Sequence, residues 1–146
     1  MQVFRQDNAD GASIVGWGVR VLLLSHAEEV TQSAAGMRIS GLGGKVELES
    51  ETFAALDTLI MDHTGYGLLV IECDAIGGLA AGRNLVSMLH KGGVSMPVIL
   101  LSSDCAEQEF PYEINRPVVL RVPISAVGLR VGFEHAMRDR LVFQAA

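Results

Sequence analysis

Five short runs along the chain are dense in apolar residues, and the stretches between most of them repeat their apolar positions every three or four residues. The first run, "VRVLLL" at 19–24, is β-branched and leucine-rich and stops at Ser25, the pattern of a strand buried on both faces. "KVELES" at 45–50 alternates as a half-buried strand does, and "LLVIECD" at 68–74 is a second doubly buried run, ending in carboxylates. "MPVILLSS" admits Pro97 at its entry, where a missing N–H is tolerated, and "PVVLRVP" is bracketed by Pro117 and Pro123. Between the first two runs, Ala27, Val30, Ala34 and Met37 recur at helical spacing behind Glu28 and Glu29, and the glycines of "SGLGG" stop the helix. Ser50 is placed to cap a second helix with the apolar face Phe53, Leu56, Leu59 and Ile60. Leu79, Leu85, Val86 and Leu89 predict a third helix, closed by "KGG", and Leu129, Phe133, Ala136, Met137 and Leu141 predict a last one over 125–143.

Strand and helix thus alternate five times, and the helix between strands four and five is the irregular one. Pro111 interrupts "SDCAEQEFPYEINRP", so a short or irregular helix is expected only near 104–110. Alternation of this kind implies right-handed crossovers and an α/β domain with a parallel sheet covered on both faces. Residues 1–18 read as an N-terminal extension and 19–146 as one domain. The 146 residues suffice for a core without staples, and 5% aromatic residues means that Leu, Val, Ile, Ala and Met must build it.

A formal charge of −6 disfavours a nucleic-acid surface, and the Arg130, Arg138 and Arg140 group is diluted by Glu134 and Asp139. Cys73 and Cys105 form neither a CxxC motif nor a disulfide framework, which fits a reducing cytoplasm. No apolar run has the length of a membrane span, so no membrane partner is expected.

In an open parallel sheet the functional crevice lies outside the carboxyl ends of the strands, where strand order reverses. If the order is 2-1-3-4-5, Ser25, His26, Asp74 and Ser102 converge there. Such residues handle a phosphoryl group, or they simply cap helices and satisfy strand ends. His26 with Glu28 and Glu29 lacks a recognised metal-ligand spacing, and no metal site is read from it.

Five βα units, an Asp at the end of strand three, Gly82 eight residues later, Ser102 closing "PVILLS" and a Pro after strand five together resemble the receiver domain of two-component response regulators. The resemblance spans 19–143 and implies a flavodoxin-like, doubly wound three-layer sandwich with order 2-1-3-4-5. It makes Asp74 the counterpart of the phosphoacceptor and Ser102 that of the switch Ser or Thr. Glu72 competes for the first role, but only Asp74 keeps the interval to Gly82. Ser25 and His26 stand where the family has the acidic pair that helps hold Mg²⁺, and Val122 stands where it has the Lys before Pro123. Arg121, one residue earlier, points to the other face of a strand. Replacing two carboxylates by a hydroxyl and an imidazole weakens or abolishes a Mg²⁺ site, so no cofactor is expected.

What the resemblance then implies is a degenerate receiver, a non-enzymatic phosphorelay module in the cytoplasm with impaired or absent aspartyl phosphorylation. It would act by contact with a histidine kinase or output protein and would pair as a homodimer through its last helix and strand. The competing expectation is a flavodoxin-like binder of a small ligand or nucleotide in the same crevice. Against a nucleotide, Glu28 and Glu29 in the turn after strand one would repel its phosphate.

Overall fold

The computed structural model describes residues 18–138; Trp17 and the extension before it, and residues 139–146, into which the last helix was expected to run, lie outside the described residues. Strands β1 (Arg20–Leu24), β2 (Lys45–Glu49), β3 (Leu68–Glu72), β4 (Val98–Ser102) and β5 (Val118–Arg121) form one parallel sheet in the order β2-β1-β3-β4-β5. Helices α1 (Ala34–Gly41), α2 (Thr52–Asp62), α3 (Leu79–Lys91) and α4 (Ala126–Ala136) complete the chain. Each strand sends alternate side chains to opposite faces, which produces two cores. Leu22, Leu24, Leu69, Ile71 and Leu100 pack against α2 and α3 through Leu56, Leu59, Leu85 and Leu89. Val21, Leu23, Val70, Ile99 and Leu120 pack against α1 and α4 through Ile39, Leu129 and Phe133. The sandwich therefore has three layers, and strand order reverses between β1 and β3, where the crevice was expected.

Several helix expectations are corrected. α1 begins at Ala34, after a 3₁₀ turn at Val30–Gln32, so Glu28 and Glu29 precede the helix instead of occupying its first turn. It buries Ala35, Gly36 and Ile39, and Met37 is 53% exposed. In α2, Phe53 and Ile60 are exposed and Ala55 joins Leu56 and Leu59 inside. Ser50 lies ahead of that helix, and the Glu49 carboxylate accepts the N–H groups of Ser50 and Glu51, at 3.0 Å each. α3 buries Leu85, Val86 and Leu89 as expected, with Leu79 half-buried, and α4 buries Leu129, Phe133 and Ala136, while Leu141 lies outside the described residues; Ser125 caps α4 by accepting the Gly128 N–H at 2.9 Å.

Between β4 and β5 no helix forms, not even near 104–110. The donor and acceptors that it would need are used elsewhere. Glu109 exchanges both backbone hydrogen bonds with Val119, at 2.8 and 2.9 Å, as an antiparallel bridge at the edge of the sheet. The carbonyls of Cys105 and Ala106 accept instead from the Arg121 guanidinium, and Pro111 has no N–H to donate.

Candidate functional site

Ladder register sets the heights of the candidate residues. Glu72 is the last residue of β3, level with Leu101 of β4, and Ser102 is level with Arg121 of β5. The strand thus closes on Glu72, two residues before the expected Asp74, which sits in a 3₁₀ turn at Cys73–Ala75. The two carboxylates that end the apolar run have separate partners.

Glu72 is held by hydroxyls. Ser25, directly after β1, donates to one carboxylate oxygen at 2.7 Å, and Ser33, the N-cap of α1, donates to the other at 2.7 Å. Both serines are buried, and their hydroxyl oxygens also accept backbone N–H groups, Ser25 from Ala27 and Ser33 from Gly36, at 3.0 Å each. A hydroxyl has one proton, and both serines direct it to Glu72. The latch joins β1, β3 and the start of α1 around one carboxylate.

Asp74 is exposed and accepts from the Ser103 backbone N–H at 3.1 Å and from the Ser102 hydroxyl at 3.3 Å. Hydrogen bonds from Ser103, and then from Ser102, hold its carboxyl below the usual aspartate range. Ser102 is fully buried, and its one proton is shared between Asp74 and Asp104, the closer of the two. Asp104 in turn accepts the Leu79 N–H at 3.2 Å, so it caps α3 from another loop, since the N-cap Gly78 brings no side chain. Gly78 has φ +109°, and a Cβ there would stand 2.9 Å from that carboxylate, so this position requires glycine.

The remaining candidates lie differently. His26 is exposed and makes no side-chain hydrogen bond among the described residues, so it does not join the cluster. Val122 lines the crevice, and Arg121 is bound to the carbonyls of Cys105 and Ala106. Ser33, Arg38 and Asp104 went unread as site residues. Ser33 carried a signal, a serine directly before an Ala-rich helical turn, which the premature start of the first helix concealed.

The crevice has a volume of about 640 Å³ and is lined by Arg38, Glu72, Asp74, Leu101, Val122 and Ile124, among others. Its apolar walls come from the ends of β4 and β5, its charges from α1 and from the end of β3. In the turn after β1 the N–H groups are already engaged. Those of Glu28 and Glu29 donate to the Gln32 side chain at 2.9 and 3.3 Å, and that of Ala27 donates to Ser25. Among the described residues no three His, Cys, Asp or Glu side chains gather to hold a metal ion.

No family model and no curated protein matches the sequence. Solved structures do match in fold. The response regulator receiver domain protein from Clostridium thermocellum superposes with a TM-score of 0.65 at 15% identity, over 86% of this chain and 98% of that one. A fusion carrying a yeast Spc42 trimeric coiled-coil segment gives 0.61 at 14% identity, over 88% of this chain and 83% of that one. A RitR mutant gives 0.59 at 15% identity, over 86% of this chain and 56% of that one. The fold is thus that of receiver domains, the flavodoxin-like order read from the sequence. No described helix is long and apolar enough to cross a membrane.

Proposed function

We propose that this chain is a receiver-like signalling module that acts through protein contacts and takes no phosphoryl group by a Mg²⁺-dependent route. The observation that carries this reading is the latch on Glu72. At the end of β3, the place from which the neighbouring strand ends are reached, the carboxylate has both oxygens occupied by buried hydroxyls. A hard cation drawn to Glu72 would meet the hydroxyls of Ser25 and Ser33 around that carboxylate, where such cations prefer further carboxylates.

Asp74 remains the counterpart of the phosphoacceptor. One of its oxygens is engaged by Ser102 and Ser103, and Arg121 at the end of β5 is committed to two carbonyls. Val122 directly precedes Pro123, so no cationic side chain at that position pairs with charge developing on a transferred phosphoryl group. The module has no enzymatic role in this reading, and its site has become a structural junction.

Its partner is a signalling protein, a histidine kinase or an output protein. A homodimer through α4 and β5 belongs to the same proposal, supported by the exposed Val127 and Val131 on α4 and by Phe110, Tyr112 and Ile114 in the neighbouring loop. The nucleotide-binding alternative loses support from the occupied N–H groups of the turn after β1.

Incubation with acetyl phosphate and Mg²⁺, read by intact mass, tests the proposal. The expected result is no stable addition of one phosphoryl group. An addition that disappears in Asp74→Asn overturns it.

A further inference from the structure

The crevice holds opposite charges that do not neutralise one another. Arg38 lines it from α1, Glu72 and Asp74 line it from β3 and the turn beyond, and Arg38 makes no ion pair among the described residues. Each side is fixed by a bond unrelated to the other. The Arg38 guanidinium donates to the Ile124 carbonyl at 3.1 Å, which leaves its other N–H groups available. Glu72 is restrained by Ser25 and Ser33, so it cannot swing toward the arginine, yet a carboxylate has about four acceptor positions and the serines use two. Asp74 accepts on a single oxygen. The crevice also has apolar lining, from Leu101, Val122 and Ile124 among others.

We infer that the crevice binds a small zwitterion with an apolar body, a free amino acid with an aliphatic or aromatic side chain. The arginine takes the ligand's carboxylate, the two acidic side chains take its ammonium, and the side chain lies on Leu101, Val122 and Ile124. A volume of about 640 Å³ holds such a molecule with room for water, within the range usual for small-molecule sites. A simple anion would be repelled by Glu72 and Asp74, and a simple cation by Arg38, whereas a zwitterion satisfies both poles and fixes its own orientation. Nucleotides are disfavoured by the same carboxylates. This inference goes beyond the signalling reading, and its test involves no phosphoryl transfer, so either one can fail alone.

The test uses the full chain, ¹⁵N-labelled, titrated with L-phenylalanine and with its two singly charged analogues, hydrocinnamate and phenethylammonium. Phenylalanine is expected to give saturable amide shifts at Ala34, Ala35, Val122 and Ile124, and each analogue to bind at least about tenfold more weakly. Arg38→Gln should weaken phenylalanine at least about tenfold and strengthen phenethylammonium, which no longer meets the arginine's charge. Glu72→Gln should abolish the preference for an ammonium group; because it also breaks the serine latch, Arg38→Gln suffices by itself if that variant does not fold. Absence of saturable shifts with phenylalanine, equal binding of all three probes, or an Arg38→Gln protein that binds phenylalanine as the parent does would each overturn the inference.

Discussion

Ser33 combines two tasks in one hydroxyl, accepting the Gly36 N–H as the N-cap of α1 and donating to Glu72. Replacing a serine N-cap by alanine typically costs about 0.5–2 kcal/mol, and loss of a hydrogen bond to a charged group adds to that. Ser33→Ala should therefore lower stability by about 1–3 kcal/mol, seen as a lower urea midpoint at unchanged slope. A midpoint equal to that of the parent would show that the latch contributes nothing. Asp74 yields a prediction in pH. Its folded-state pKa is depressed, first by the Ser103 backbone N–H, so its contribution is present above the unfolded value and disappears as pH falls through the folded one. The stability difference between parent and Asp74→Asn should accordingly be constant near neutrality and shrink only below about pH 4. A difference that changes between pH 6 and 8 would point to another group. The sequence did announce that carboxylates end this strand, but not which one closes it. Glu72 and Asp74 are separated by a single residue, the spacing to Gly82 favoured the second, and only the strand register assigns the ladder position to the first.

Element boundaries were easiest to read where burial leaves one solution. A run such as Leu68–Ile71 is fully buried on both faces, and its β-branched and leucine content over so few residues suits a central strand. Helix faces were harder because small residues make the closest approaches. α1 packs through Ala35 and Gly36, and α2 through Ala55, positions that a search for large side chains passes over in favour of Met37 and Phe53. α3 shows the same economy of space at Gly82, where an added Cβ would overlap the Cys73 sulfur. In an open helix, Gly→Ala gains up to about 1 kcal/mol; here overpacking, which costs about 1–3 kcal/mol, should win. Gly82→Ala is thus expected to destabilise the parent and to be neutral or stabilising in a Cys73→Ala background, and equal effects in both backgrounds would refute the contact. The same sulfur is chemically quiet. Burial first, and then the Asp74 charge, push the Cys73 thiol up to about 12, so it remains a thiol and not a thiolate. Ellman's reagent should leave Cys73 unmodified in the folded protein and react in denaturant; equal rates in both conditions would contradict this burial.

At the scale of the whole molecule, the segment between β4 and β5 departs furthest from strand–helix alternation, and it is tied to three parts of the fold. Asp104 joins it to the start of α3 and to Ser102 at the crevice. Arg83 of α3 pairs with Glu109 at 2.7 Å, and Glu109 bridges to Val119 on the sheet edge. From the other side the end of α4 holds it. Arg138 donates to the carbonyls of Pro111 and Tyr112 at 3.1 and 2.7 Å, and His135 bonds the Pro111 carbonyl at 2.7 Å. Pro111 forecast the missing helix, but nothing local forecast the replacement, because the contacts from α3, His135 and Arg138 join residues more than twenty positions apart. Hydrogen bonds to backbone carbonyls near the surface hold a segment in place without contributing much to the core, so the loop should open as its own unit. Arg138→Ala is expected to speed hydrogen exchange at the Glu109 and Val119 amides, which close the antiparallel bridge, while the amides of β1 and β3 keep the protection set by global unfolding. Confinement of the change to that bridge would identify the loop as a movable surface between the crevice and α4, the property a contact-based signalling module needs there. If exchange rises equally in β1 and β3, the clasp belongs instead to the global fold, and the loop has no independent freedom for a partner to use.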